Sequence, residues 1–202
     1  KLLRSGLFRD IFVQPAAGDA GGALGAALFV HHQLLGKERL VDPEDSCKGS
    51  LLGPKFDNDQ VREALDQSGA VYEFIPDETK LLETVAAAIA DGKVVGWFAG
   101  RMEFGPRALG CRSILGDARN PEMQAQMNLR IKFRESFRPF APVVLREDVA
   151  EYFAHHGDSP YMLMVAEVKP ELQRAPTDAD ETAMHDPDLR RRVNVVRSTL
   201  PA

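Results

Sequence analysis

The segment that most constrains the fold is 100–115, because its sixteen residues join two apolar runs through a glycine-rich turn. The segment contains three glycines together with Arg101, Glu103, Arg107 and Arg112. Glycine lets the backbone approach a ligand closely, and an arginine fork forms paired hydrogen bonds with phosphate or carboxylate oxygens. The segment therefore predicts a strand–turn–strand unit whose turn binds an anion.

A second polar group follows downstream, formed by Asn128, Lys132, Arg134 and Arg138. Residues 101–138 carry eight positive and four negative side chains, a net charge of +4, whereas the whole chain has a net charge of -5 and its remainder therefore -9. A cationic segment within an acidic protein indicates a small anionic ligand rather than nucleic acid. We expect the lysine to act as a point charge on a transferring group and the arginines as clamps.

The same arginines have a structural interpretation that the residues leave open. They could form salt bridges with Glu103, Asp117 and Glu135, and such pairs need no ligand. Glu103 is predicted to orient an arginine rather than to act as a base. Asp19 is equally ambiguous, since a carboxylate just before a helix can cap that helix or bind a metal, and residue physics alone favours the cap.

The rest of the chain predicts an α/β arrangement. Strands are predicted at 11–13, 71–75, 93–98, 113–115, 137–145 and 159–168. Helices are predicted at 21–34, between Asp57 and Gly69, between Pro76 and Gly92, after Pro121 and at 148–153. Met123, Met127 and Ile131 should share the apolar face of the helix after Pro121. The polar stretch 170–192 is predicted to be a mobile loop that ends in Arg190–Arg192.

Composition narrows the class of protein. No apolar run approaches the ~18 residues of a membrane span, so no membrane partner is expected. Cys47 and Cys111 are far apart and match no metal-binding spacing, which is typical of free thiols in a reducing cytoplasm. No secretory signal is recognisable, and a chain that does not begin with Met is expected to be a fragment. The sequence therefore predicts a cytoplasmic protein that does not bind nucleic acid.

With these residues in view, the chain resembles the O-carbamoyltransferases of nodulation and antibiotic biosynthesis. The resemblance rests on segments 14–27, 100–115, 128–142 and 159–162 and covers about residues 1–168. It implies that residues 1–50 end an actin/sugar-kinase-like amino-terminal domain and that 51–69 are a connector. It further implies that 70–202 form a YrdC-like α/β domain, a twisted mixed sheet with flanking helices that is truncated at its end.

The resemblance implies a reaction and a set of site residues. Carbamoyl phosphate and ATP, the co-substrate, would form carbamoyl-adenylate, and the carbamoyl group would pass to a hydroxyl of a sugar, an antibiotic or a nodulation factor. By position, Arg107 and Lys132 are expected to bind the phosphates and to be catalytic. The residues of the same motifs expected to line the substrate and nucleotide site are Arg101, Glu103, Arg112, Ser113, Asn128, Arg134 and Arg138.

The resemblance also reverses the interpretation of Asp19, which matches a metal-ligand aspartate of the amino-terminal domain. That domain carries Fe(II) or another divalent metal, but its histidine ligands lie outside this chain, so we do not expect the fragment to hold the metal. The fragment alone is expected to be inactive or partly active, and the sequence leaves open whether the protein forms a homodimer. Two other functions remain: a YrdC-like RNA-binding or tRNA-modification module, and a non-catalytic regulatory domain that binds nucleotide.

Overall fold

The computed structural model describes residues 2, 5–9, 11–41, 45–155, 157–173, 175–185 and 187. The chain divides into two compact units. The first comprises Lys1–Val71, Phe98–Ser113 and Ser159–Met164, and the second comprises Tyr72–Trp97, Ile114–Asp158 and Val165–Ala202.

The described residues form a mixed α/β structure with one small sheet. Its two antiparallel strands are β1 (Val95–Phe98) and β2 (Arg112–Leu115). The helices are α1 (Asp19–Phe29), α2 (Asn58–Ser68), α3 (Glu78–Ala90), α4 (Met123–Gln126), α5 (Val149–Tyr152) and α6 (Asp178–Met184). Single π-helical turns, Val30–Leu34 and Met127–Ile131, continue α1 and α4, and short 3₁₀ turns lie at Lys48–Ser50 and Pro170–Leu172. No helix within the described ranges is long and apolar enough to cross a bilayer.

Local signals set the ends of α2 and α3 where the sequence predicts them. The Asp57 carboxylate accepts hydrogen bonds from the first turn of α2, and the Gln60 Oε1 atom accepts one from the Asp57 N–H, forming a capping box. Asp77 caps α3 with a single hydrogen bond, which its Oδ1 atom accepts from the Lys80 N–H at 3.1 Å. Gly69 and Gly92 follow the two helices with φ angles of 67° and 79°, which glycine adopts without steric cost.

Helix α1 departs from its prediction at the amino end. It begins at Asp19 rather than near residue 21, and Gly18 occupies the capping position with no side-chain hydrogen bond to the helix. The interpretation of Asp19 as the cap is therefore wrong, because the carboxylate lies within the first turn instead of before it. The helical path continues through the π turn, and Gly36 follows it with a φ of 61°.

The apolar centre of the second unit is small. Met123 and Met127 are buried, with 3% and 5% of their surfaces exposed, and they pack on Gly116. A Cβ atom at Gly116 would come within 2.8 Å of both methionine sulfurs, so the contact depends on the missing side chain. Ile131 was predicted on the same face but is 44% exposed, because the π turn at 127–131 changes the angular register of the helix.

Four predicted strands are wrong. Segments 11–13, 71–75, 137–145 and 159–168 are not strands, and Phe12, Val71 and Val143 are largely exposed. Among these residues only Val168 forms a β-bridge, an isolated antiparallel one with Phe153. An apolar run becomes a strand only where a partner strand is available, and within the described residues the sheet has two strands rather than the larger mixed sheet expected.

Two further predictions need correction. The strand at 93–98 is present as β1, but it alternates half-buried and exposed residues instead of being buried throughout. The polar stretch from residue 170 contains a 3₁₀ turn and α6, because Thr177 and Asp180 form a capping box that begins a helix. The triplet Arg190–Arg192 lies outside the described residues.

Candidate anion-binding turns

The turn between β1 and β2 is closed by a buried carboxylate. Glu103 is 4% exposed, and its Oε1 atom accepts hydrogen bonds from the N–H groups of Leu109 and Cys111, each at 2.7 Å. Its Oε2 atom accepts one from Arg112 Nε at 3.1 Å. Burial by itself would raise the pKa of Glu103, but these hydrogen bonds outweigh it and leave the pKa below its ordinary value. The carboxylate is therefore charged and fixed at neutral pH.

Arg112 holds the same turn from the inside. Besides its bond with Glu103, its Nη2 atom donates to the backbone oxygens of Gly105 and Arg107. Ser113 Oγ, one residue later, accepts from the Gly110 N–H at 3.1 Å. The guanidinium of Arg112 thus binds other groups of the protein. For this arginine, the interpretation as a structural salt bridge with Glu103 agrees with the observed contacts.

The side chain of Arg101 also binds the protein, but at a different segment. Its Nη1 atom donates to the Gly53 oxygen at 2.6 Å, and its backbone pairs with Lys55 in an antiparallel bridge. Asp117, a predicted acidic partner of the motif arginines, binds Arg119 instead, with a distance of 2.8 Å between Oδ2 and Nη2. The structural interpretation was therefore wrong about Asp117.

Arg107 differs from the other two arginines of the motif. Its side chain is exposed and forms no ion pair or hydrogen bond within the described part of the chain. It lies on the wall of a cavity of about 260 Å³ and is the charged side chain among the lining residues that the structure describes. The lining residues also include the apolar Val13, Phe104 and Leu163, together with Ser50 and Tyr161.

The backbone around this cavity is strained. Ala16, Ser50 and Met162 line the cavity, and their φ angles are 50°, 63° and 54°, in the left-handed region that residues other than glycine rarely adopt. Gly105 lies between two lining residues with a φ of 104°, and a Cβ atom there would be 2.5 Å from the Ala16 Cβ. Backbone strain of this kind, about 1–3 kcal/mol per residue, concentrates at binding and catalytic sites.

A second turn in the other unit repeats the arrangement with an amide in place of the carboxylate. Asn128 is fully buried, and its Nδ2 atom donates to the backbone oxygens of Ser136 and Arg138 at 3.0 and 2.8 Å. Its Oδ1 atom accepts from Arg134 Nε, and the Arg134 guanidinium lies 4.9 Å from the centre of the Phe140 ring. Asn128 and Arg134 therefore hold the shape of the 128–140 segment.

Three cations lie at the surface of this second turn, namely Arg130, Lys132 and Arg138. Arg138 forms an exposed ion pair with Glu135, with 3.0 Å between Nε and Oε2. Lys132 is exposed and has no ion pair within the described ranges. Each turn thus has polar side chains that bind its own backbone and at least one exposed cation without an ion pair among the described residues, Arg107 in the first turn and Arg130 and Lys132 in the second.

The residues described do not form a metal site. No group of three or more His, Cys, Asp or Glu side chains within the described ranges could hold a metal ion. Asp19 is an exposed carboxylate on the first turn of α1. Iron in oxygen- and nitrogen-ligand sites requires a set such as two histidines and one carboxylate. The donor set of the described residues does not fit iron.

Comparison with known proteins identifies the family. Residues 86–200 match the model of the carbamoyltransferase C-terminus, and residues 1–28 match that of the carbamoyltransferase N-terminus. The chain belongs to the carbamoyltransferase family. The resemblance to carbamoyltransferases in the sequence is thereby confirmed.

The curated relatives of this carbamoyltransferase chain include nodulation proteins. It is 53% identical to an uncharacterized protein of Synechocystis sp., over 100% of this chain and 32% of that protein. It is 43% identical to nodulation protein NolO of Bradyrhizobium diazoefficiens, over 100% of this chain and 36% of the relative. It is 36% identical to nodulation protein U of Rhizobium fredii, over 83% and 26%. The chain thus spans about a quarter to a third of these relatives.

The sequence did not reveal the cavity of this carbamoyltransferase chain. A glycine with positive φ leaves a trace in the sequence, but Ala16, Ser50 and Met162 adopt the left-handed region with no compositional signal. The hydrogen bond between Tyr161 and Asp45 joins residues 116 positions apart, beyond the reach of a local pattern.

Proposed function

We propose that the intact protein is an enzyme, an O-carbamoyltransferase that uses carbamoyl phosphate and ATP to form carbamoyl-adenylate and then carbamoylates a hydroxyl of a small acceptor. The observation that carries the proposal is Arg107, whose guanidinium has no partner among the described residues and which lines a strained cavity in a chain of the carbamoyltransferase family. A lone cation facing a cavity is stabilised when an anion binds, and a phosphate accepts two of its hydrogen bonds.

The residues of the two turns then have distinct roles. Arg107 and Lys132 bind phosphoryl oxygens of the donor or the nucleotide and stabilise the charge that develops during transfer. Arg101, Glu103, Arg112 and Ser113 shape the first turn, and Asn128, Arg134 and Arg138 shape the second. Most of the residues first expected to contact the substrate would therefore act indirectly, by positioning Arg107 or Lys132.

The chemistry is an acyl transfer through an adenylate. Water releases inorganic phosphate from the donor and leaves carbamate. A carbamate oxygen then bonds to the α-phosphorus of ATP, and pyrophosphate leaves. The acceptor oxygen finally bonds to the carbamoyl carbon, AMP leaves, and the hydroxyl proton passes to solvent or a base. Among the relatives, NolO and nodulation protein U are named for nodulation, which supports a nodulation factor as one class of acceptor.

The proposal includes the organisation implied by the resemblance. Residues 1–50 would end an actin/sugar-kinase-like domain, 51–69 would connect, and 70–202 would belong to a YrdC-like domain. The match of residues 1–28 to the carbamoyltransferase N-terminus and of residues 86–200 to the C-terminus supports a division between them. A divalent metal would belong to the intact protein, with Asp19 as one ligand.

The test is isotope exchange between pyrophosphate and ATP in the intact protein, with and without carbamoyl phosphate. We expect exchange that depends on carbamoyl phosphate and falls more than tenfold in Arg107→Ala, since a lost hydrogen bond to a charged group costs about 1.5–3 kcal/mol. Arg39→Ala is the matched control, because Arg39 is an exposed arginine that belongs to neither turn. A crystal soaked with both ligands should show phosphate about 2.7–3.2 Å from Arg107 and Lys132.

Three results would contradict the proposal. Pyrophosphate exchange that does not need carbamoyl phosphate would contradict carbamoyl phosphate as the donor. Activity of Arg107→Ala above a tenth of wild type would contradict the role assigned to Arg107. Preferential binding of transfer RNA over carbamoyl phosphate and ATP, with a steep dependence on salt, would favour an RNA-binding module instead.

A further inference from the structure

Tyr161 and Asp45 link two distant segments of the first unit. The Tyr161 hydroxyl donates a hydrogen bond to Asp45 Oδ2, across 116 positions of sequence. The same carboxylate accepts from the N–H groups of Cys47 at 3.0 Å and Gly49 at 2.9 Å. Burial, and then the bond with Asp45, raises the pKa of Tyr161 to about 12, so the hydroxyl stays protonated and acts as the donor.

The two linked segments supply strained parts of the cavity wall. Asp45 fixes the turn that leads into Ser50, and Tyr161 directly precedes Met162; both Ser50 and Met162 are left-handed wall residues. The Ser50 oxygen also accepts from the Phe104 N–H at 2.6 Å, which connects this wall to the turn that carries Arg107. The Tyr161 ring itself lies on the wall. The side-chain hydrogen bond between Tyr161 and Asp45 therefore joins two parts of the cavity wall, and the backbone hydrogen bond between Phe104 and Ser50 joins them to the third.

We infer that Asp45 and Tyr161 are a positioning pair, which holds the 45–50 and 159–164 segments together so that the cavity binds the phosphorylated donor at Arg107. The inference rests on the proposed function for the identity of the ligand. The positioning itself does not, because the hydrogen bond and the wall geometry exist without any ligand. Strained backbone conformations need such restraints, since each would relax to an ordinary region if its segment were released.

The test uses Tyr161→Phe, Asp45→Asn and the double variant in the intact protein. In Tyr161→Phe we expect the KM for carbamoyl phosphate in the exchange assay to rise about tenfold, while kcat stays within twofold of wild type. The double variant should have a KM within twofold of that of the worse single variant, because both changes break the same link. Tyr152→Phe is the matched control, since it removes a phenolic hydroxyl in the other unit.

A second measurement needs no activity. Amide hydrogen exchange of segments 45–50 and 159–164 should accelerate together in Tyr161→Phe and stay unchanged in Tyr152→Phe. Amide hydrogen exchange that is unchanged in Tyr161→Phe, or that accelerates while the KM for carbamoyl phosphate stays unchanged, would overturn the role of the positioning pair. A wild-type protein without pyrophosphate exchange activity would overturn the proposed function and the ligand assigned to the cavity, whereas the amide exchange would still decide whether the link holds the two segments.

Discussion

The buried carboxylate of Glu103 lies 3.1 Å from the guanidinium nitrogen of Arg112, and both side chains bind the backbone of the turn that carries Arg107. The pair neutralises itself and satisfies the N–H and C=O groups inside the turn. Arg107 therefore projects from a backbone that is already ordered, so little backbone conformational entropy is lost when its side chain binds a ligand.

Replacing Glu103 by Gln should destabilise the first unit. Glutamine keeps one acceptor oxygen, but its NH₂ group would oppose a donor, and Arg112 would lose its buried counter-ion. We expect a loss of about 2–4 kcal/mol in the free energy of unfolding, measured by denaturant titration of the intact protein. Glu83→Gln on the exposed surface of α3 should stay within about 0.5 kcal/mol. Equal effects of the two changes would contradict the role of Glu103.

The same carboxylate should make stability depend on acid. The pKa of Glu103 in the folded protein is below its ordinary value of 4.5, so its stabilising contribution is complete above pH 4.5 and is lost as the pH falls towards the folded pKa. Between about pH 5 and pH 3, wild type should therefore lose more stability than Glu103→Gln. Parallel pH profiles in thermal unfolding would show that Glu103 does not contribute in this way.

A comparison of Gly105→Ala with Gly110→Ala separates the stability cost of backbone strain from that of steric overlap. Both glycines have positive φ, 104° and 120°, but a Cβ at Gly105 would meet Ala16 at 2.5 Å, whereas nothing lies within 4 Å of one at Gly110. We expect Gly110→Ala to cost about 1–2 kcal/mol and Gly105→Ala about 1–3 kcal/mol more, from thermal unfolding. A Gly110→Ala variant that loses as much stability as Gly105→Ala would argue against the close packing at Ala16.

Lys132 and Arg130 give a matched comparison in the second turn. Both are exposed, but only Lys132 is proposed to contact phosphate. Lys132→Ala should lower carbamoyl-phosphate-dependent pyrophosphate exchange more than tenfold, and Arg130→Ala should change it less than twofold, with unfolding temperatures unchanged in both. If the two variants lose activity equally, the effect of Lys132 is that of general surface charge, which a higher salt concentration would then abolish in wild type.

Helices were predictable here where their ends carry side-chain signals. Asp57 and Asp77 cap α2 and α3, and Gly69 and Gly92 follow them, all within a few residues of the structure they determine. The strands predicted at 71–75 and 137–145 from their apolar runs are wrong, because a strand also needs a partner strand, which a local run does not reveal. The pairing of β1 with β2 was accessible since the two strands flank one turn.

The chemistry of the turns was predictable in kind but not in detail. Composition showed that cations concentrate around Arg107, but it could not show that Glu103 binds Arg112 or that Asn128 binds Arg134. Those choices depend on burial and on hydrogen-bond geometry after folding. The cavity wall formed by Tyr161 depends on contacts across more than a hundred residues, and only the folded chain reveals it.

The main chain of Cys111 forms two hydrogen bonds in the turn: its N–H donates to Glu103 and its C=O accepts from the Ala99 N–H. Any amino acid with an amide hydrogen provides the same two groups, so evolutionary drift at this position should leave the guanidinium of Arg107 in place, and proline is the one replacement that removes the donor. The thiol can accordingly be exchanged for serine when a reporter dye must be attached through a cysteine introduced elsewhere.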